Sequence, residues 1–288
     1  MRLLSFEKNG GLRAGVVEGD EVIDLTFARG KLPDTVGEII RRDVVNEVAT
    51  WIKTAPVAAR LPLDGLHLAL PFSDPGKVIC LGLNYADHAA EGGHDVPSYP
   101  ALFMRGRTSL IAAGQPMVRP ACSERLDYEA ELMLVVGRGG RHLTEQNCLD
   151  AVFGYTLFND GSVRDYQRKS TQWTAGKNFD GTGAIGPWIV TADELPTAAK
   201  GLAIRCLLNG EIMQSSNTER MIFDVRRTLV TLSEVMTLEP GDLIALGTPD
   251  GVGNARKPPV YLKPGDTVVV EVDGIGRLKN SVIAATAA

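Results

Sequence analysis

The segment Asp127-Tyr128-Glu129-Ala130-Glu131-Leu132 sets two glutamates two positions apart at the head of an apolar run that ends at Val136. On an extended strand, residues i and i+2 point to the same face. Like charges side by side repel. An exposed strand tolerates that, whereas a buried face needs a cation or a proton to offset it. The pair therefore reads in two ways: as solvated glutamates, or as oxygen donors for a hard divalent cation such as Mg2+ or Mn2+. Asp160 supplies a third carboxylate where the apolar stretch Tyr155 to Phe158 breaks into Asn159-Asp160-Gly161. Strand ends that open into loops often carry functional side chains. The same residues also suit a capped turn.

Other groups could act beside these carboxylates. His88 and Glu91 are i, i+3 neighbours on a helix-friendly run, Ala86 to Glu91, which Gly92-Gly93 stops. A carboxylate beside an imidazole orients the ring and raises its basicity, which suits a general base; an exposed salt link is the plainer reading. Arg164 and Gln167 share a face if the chain makes one helical turn there, and arginine grips carboxylates in bidentate fashion. Lys177 sits in a Gly- and Asn-rich stretch, 175–183, suited to an anionic substrate or to a solvated turn. Thr248, in Gly247-Thr248-Pro249-Asp250-Gly251-Val252-Gly253, can line a pocket. That run lacks the order of a dinucleotide fingerprint, no P-loop closes around Lys177, and no G-x-S-x-G elbow occurs. His67, His94 and His142 have no partner at metal spacing and read as structural or surface residues.

The elements that position these groups are mostly strands. Residues 2–6 and 11–25 read as short strands separated by Asn9-Gly10-Gly11 and Glu18-Gly19-Asp20. A helical pattern follows from Pro33 to Lys53, then a proline-bearing linker over 54–76. This predicts a small α/β N-terminal domain, 1–70, before a larger unit, 71–288. Strands are expected at 78–83, 132–136, 203–208, 243–246 and 267–272, with a hairpin turn at Asn209-Gly210 and a helix from Arg220 to Met236. Strands outnumber helices without regular alternation, so the class is α+β, mostly β, rather than a doubly wound sheet.

Composition narrows the partners. The 288 residues carry 30 Lys+Arg against 35 Asp+Glu, a formal charge of −5, which argues against a nucleic-acid binder. No apolar run reaches a membrane span and no signal peptide opens the chain. The four cysteines, widely spaced, read as reduced and mostly buried thiols. A cytoplasmic protein is expected.

Taken in order, the motifs Gly82-Leu83-Asn84-Tyr85-x-x-His88-x-x-Glu91, Asp127-Tyr128-Glu129-x-Glu131-Leu132, Asn159-Asp160 with Arg164-Asp165-x-Gln167, Gly176-Lys177 and Gly247-Thr248-Pro249-x-Gly251-Val252-Gly253 closely resemble the fumarylacetoacetate hydrolase family. The likeness spans roughly 77–282. It implies a mixed β-sandwich or β-roll catalytic core, usually a homodimer. It implies that Glu129, Glu131 and Asp160 ligate one Mg2+ or Mn2+. His88 and Glu91 would form a water-activating dyad on a lid. Tyr85, Arg164, Gln167 and Thr248 would hold a 2-oxo or 2,4-dioxo acid substrate, and Lys177 would stabilise charge on a pyruvate-type enolate. The leading expectation is C–C hydrolysis of an acylpyruvate, of the fumarylpyruvate, maleylpyruvate or acetylpyruvate type, in aromatic catabolism. The alternatives are decarboxylation or isomerisation of an oxo-dicarboxylate such as oxaloacetate, or hydrolysis of a diketo-deoxy sugar acid.

Overall fold

All seven residues of the strand Ala130–Val136 are buried. Leu132, Leu134 and Val136 enter one apolar cluster, whereas Met133 and Val135 enter another. A strand covered on both faces must be apolar on both, which is why this run shows no polar alternation. The computed structural model, which describes residues 1–93 and 95–286, builds outward from this strand. His94 lies outside the described residues.

Ala130–Val136 pairs antiparallel with Val152–Asp160 on one side and Leu243–Ala245 on the other. A twelve-stranded mixed sheet continues from there. In one direction it runs through Gly183–Thr191, Arg2–Lys8, Gly11–Glu18, Glu21–Asp24 and Arg60–Pro62. In the other it passes through Leu243–Ala245 to Val78–Gly82 and Ala101–Met104. A second sheet has five strands, in the order Glu211–Asn217, Ala203–Leu208, Thr267–Val272, Gly276–Ala284 and Met117–Arg119. The main core lies between the sheets: Leu132, Leu134 and Leu157 meet Ile204, Cys206, Val268, Val270 and Leu278. The architecture is a mostly-β sandwich of α+β class. Asn209 and Gly210 take φ values of 53° and 91°, the left-handed pair that a tight hairpin needs.

Local chemistry explains where the sequence reading differs. The helical pattern over 33–53 forms two helices, Val36–Arg41 and Val45–Ile52. Asp43, at φ 52°, breaks the run, and the Thr35 side chain caps the first helix by accepting from Glu38 N–H. The later helix begins at Val225, capped by Asp224, and ends at Val235. The supposed linker 54–76 contains the strands Arg60–Pro62 and His67–Leu68, and Pro62 is tolerated because its strand is at the sheet edge. Cys80, Cys148 and Cys206 are buried and Cys122 is exposed; all four are free thiols. Among the described residues, no helix is long and apolar enough to cross a membrane.

The expected boundary near residue 70 is crossed by both sheet and core. Arg2 and Leu3 pair with Val190 and Ile189. Leu3, Val16 and Ile39 share one cluster with Val78, Phe158 and Leu243. A chain beginning at residue 71 would expose an edge of Gly183–Thr191 and the apolar face beneath the two helices, a recipe for aggregation. We expect that truncated chain to be insoluble or to unfold without cooperativity in denaturant. A soluble 71–288 fragment with a single sharp transition would instead show that residues 1–70 are separable.

A candidate metal and substrate site

Register brings the three carboxylates together. Glu131 pairs with Phe158, and Asp160 N–H donates to the Glu129 carbonyl at 2.9 Å, so Asp160 lies across from the two glutamates at the strand ends. All three side chains are buried, and a ligating oxygen from each lies within 4.8 Å of the others. Side chains pin the backbone positions, one from within the strand pair and one from the second sheet. Glu129 N–H donates to Asn159 Oδ1 at 3.0 Å, and Ala130 N–H donates to Gln214 Oε1 at 2.9 Å.

Cations stabilise two of the three carboxylates. Lys177 Nζ donates to Glu129 Oε2 at 2.7 Å and to Asp160 Oδ2 at 2.5 Å. Arg164 Nη1 lies 2.7 Å from Glu129 Oε1, and Arg105 Nη1 donates to Asp160 Oδ1. Burial alone would push the Glu129 carboxyl up, but Lys177 and Arg164 hold it well below the usual range. Lys177 is likewise pushed down by burial, yet Asp160 and Glu129 raise it overall, so it stays an ammonium. Glu131 has no salt-bridge partner among the described residues; its Oε2 accepts from Gly247 N–H at 2.9 Å. Burial, then Asp160 and Glu129, push its carboxyl well above the ordinary 4.5. With Asp127, four buried carboxylates face three buried cations. Three clustered oxygen donors, one lacking a counter-charge, fit a hard divalent cation.

The remaining groups converge from separate elements. Lys177 ends a one-turn helix, Thr174–Lys177, instead of sitting in a solvated turn. That helix packs closely on Arg164–Gln167, where a Cβ on Gly176 would lie 2.4 Å from Gln167 N. Arg164 Nε donates to Asp127 Oδ2 at 2.7 Å and Nη1 to Gln167 Oε1 at 3.0 Å, while its buried Nη2 has no partner among the described residues. On the helix Ala86–Glu91, His88 Nδ1 lies 2.9 Å from Glu91 Oε1, which turns Nε2 into the free nitrogen. One glycine-rich loop ties these parts together through backbone N–H groups. Gly247 donates to Glu131, Gly251 to Glu91 Oε2, and Gly253 and Asn254 to Asp127. Gly247 has φ +85°, and a Cβ there would lie 2.6 Å from Asn84 Cβ, so the position requires glycine.

A cavity of about 610 Å3 is lined by His88, Glu91, Glu129, Glu131, Arg164, Gln167, Lys177 and Thr248. Thr248 Oγ1 accepts from Gln214 Nε2 at 2.8 Å, which leaves its own proton to donate into the cavity. Two expected residues lie behind the wall. Asp160 is reached through Lys177 and Arg105. Tyr85, expected at the substrate, is buried with its hydroxyl unpartnered and does not line the cavity. Sequence reasoning missed Arg105, Gln214 and the clamp role of Asp127. Only Asp127 carried a signal, its place beside the two glutamates.

A sequence model described as "Fumarylacetoacetate (FAA) hydrolase C-terminal" matches residues 77–283. The chain belongs to the fumarylacetoacetate hydrolase family. It is 38% identical to "Oxaloacetate tautomerase Fahd2a, mitochondrial" of Rattus norvegicus, over 98% of this chain and 92% of that protein. Among solved structures it resembles the fumarylacetoacetate hydrolase of Exiguobacterium antarcticum, with TM-score 0.86, 38% identity and 99% and 100% of the two chains covered. It also resembles maleylpyruvate hydrolase from Sphingobium sp. SYK-6 in complex with manganese(II) and pyruvate, with TM-score 0.81, 30% identity and the same coverage. Relatives in this family are enzymes, hydrolases and isomerases among them.

The raised Glu131 carboxyl gives a signed prediction. Metal-free folded protein holds a proton that the unfolded chain gives up above the ordinary glutamate value. Folded stability therefore falls as pH rises from there through the raised value. Glu131→Gln removes that loss. In EDTA at neutral pH its Tm should rise by about 2–4 °C, while Mn2+ binding measured by calorimetry disappears. A lower Tm in the variant, or retained Mn2+ binding, would contradict this assignment.

Proposed function

We propose that this family member is a divalent-cation-dependent enzyme that interconverts the keto and enol forms of a short 2-oxo dicarboxylate of the oxaloacetate type. The observation that carries the reading is the His88–Glu91 pair opening onto the same cavity as the carboxylate cluster. The sequence reading put hydrolysis first. Similarity over nearly the whole chain to a protein named an oxaloacetate tautomerase moves proton transfer ahead of it.

Glu129, Glu131 and Asp160 would hold Mg2+ or Mn2+, which supplies Lewis-acid polarisation of a 2-oxo acid. The unpartnered Arg164 Nη2, the Gln167 amide and the Thr248 hydroxyl orient the substrate carboxylate. His88 Nε2 takes a proton from C3, and Glu91 balances the imidazolium that forms. Return of that proton to the C2 oxygen gives the enol, so the step needs no co-reactant. Lys177, held as an ammonium, is a fixed positive charge beside the developing oxyanion. Glu91 is itself anchored by Gly251 N–H, which fixes the ring's tautomer and direction.

A second reading is hydrolysis of the C3–C4 bond of an acylpyruvate, releasing pyruvate and a carboxylic acid. The likeness to a maleylpyruvate hydrolase favours it. The same dyad would deprotonate a water instead of C3. One panel separates the two: loss of enol absorbance from oxaloacetate, and acid release from maleylpyruvate, fumarylpyruvate and acetylpyruvate, each with Mn2+ or Mg2+. We expect fast enol loss, its abolition by EDTA, and a fall in kcat of at least about 100-fold in His88→Asn. Wild-type rates in His88→Asn would remove the base from the mechanism, and full activity after EDTA treatment would remove the cation.

A further inference from the structure

Three permanent cations line the cavity: Arg164, Lys177 and Arg168. The first two are committed. Arg164 pairs with Asp127 and Glu129, and Lys177 with Glu129 and Asp160. Arg168 is different. It lies one helical turn after Arg164, exposed at the end of Arg164–Gln167, and forms no ion pair among the described residues. Residues i and i+4 share a helix face, with a rise of about 6 Å between them. The two guanidiniums thus mark an inner and an outer point along one wall of the cavity. Ser170 and Thr171, which line the cavity beside Arg168, add hydroxyls to this outer point, while Phe103 and Trp173 form an apolar side wall.

We infer that Arg168 is a specificity residue that binds the distal carboxylate of the substrate, so that the site selects dicarboxylic over monocarboxylic 2-oxo acids. This rests on the site proposed above. It adds a second, cationic anchor for an anionic group at the end remote from the cation-binding carboxylates. A monocarboxylic substrate would leave Arg168 in solvent. A dicarboxylate would bridge the inner and outer points and gain a charge-assisted hydrogen bond.

Binding to Mn2+-loaded protein tests this without relying on turnover. Malate and lactate are stable hydroxy-acid counterparts of oxaloacetate and pyruvate, and between them the distal carboxylate is the difference that matters. In wild type, malate should bind about five- to tenfold more tightly than lactate, between the worth of an exposed ion pair and that of a charge-assisted hydrogen bond. Arg168→Gln should erase the preference by weakening malate while leaving lactate unchanged, Arg168→Lys should keep part of it, and Arg168→Glu should reverse it. An unchanged preference in Arg168→Gln, or no preference in wild type, overturns the inference. The enol assay reports separately. A protein that prefers malate yet leaves oxaloacetate enol untouched keeps the anchor and loses the tautomerase reading.

Discussion

Three buried carboxylates crowd one end of the central strand pair, and their mutual repulsion sets the terms for everything around them. Left alone, such a cluster would either take up protons or force the strands apart. Lys177 and Arg105 neutralise Asp160, and Lys177 and Arg164 neutralise Glu129. Arg164 in turn needs Asp127, which needs the N–H groups of Gly253 and Asn254. The chain of compensation stops short of Glu131, whose partner is a single backbone amide. A divalent cation would complete the balance and leave the cavity favourable to an anion, the charge of every candidate substrate.

This arrangement also explains why one scaffold serves several reactions. On the proposed reading, the cluster would activate a 2-oxo acid in the same way whatever follows. Proton return to oxygen, attack by water and loss of a fragment would then differ only in what His88 meets at the next moment. On that reading the fold would specify the activated species, and the outer wall of the cavity its fate.

What could be read from sequence was what is local in sequence. Glu129 and Glu131 are two residues apart, His88 and Glu91 are three apart, and Arg164 and Gln167 are three apart. Strand and helix geometry turns each spacing into a shared face. Asp160 was legible as a strand-end carboxylate, and its convergence with the glutamates came from family likeness and is seen in the strand register. Arg105 and Gln214 were not legible, because they meet the site from remote segments: Arg105, just past the strand Ala101–Met104, reaches Asp160 across 55 positions, and Gln214 reaches Ala130 across 84. Tyr85 stood beside the dyad in sequence, yet its side chain turns into the core. The strand-rich α+β class was readable from turn residues and apolar runs. The continuation of the sheet into residues 1–62 was not, since long-range pairing such as Arg2 with Val190 leaves no periodic mark.

The loop from Gly247 to Asn254 holds a cation-site carboxylate, the carboxylate behind the base and the clamp of the arginine, all through main-chain amides. Among substitutions, only proline deletes those donors. The Asp250 side chain takes no part in these contacts, whereas the number of residues in the loop sets where they fall. Losing or gaining one would move base, cation site and anion clamp out of phase together. A change of activity on this frame is therefore expected from side chains elsewhere on the cavity wall rather than from the loop's length.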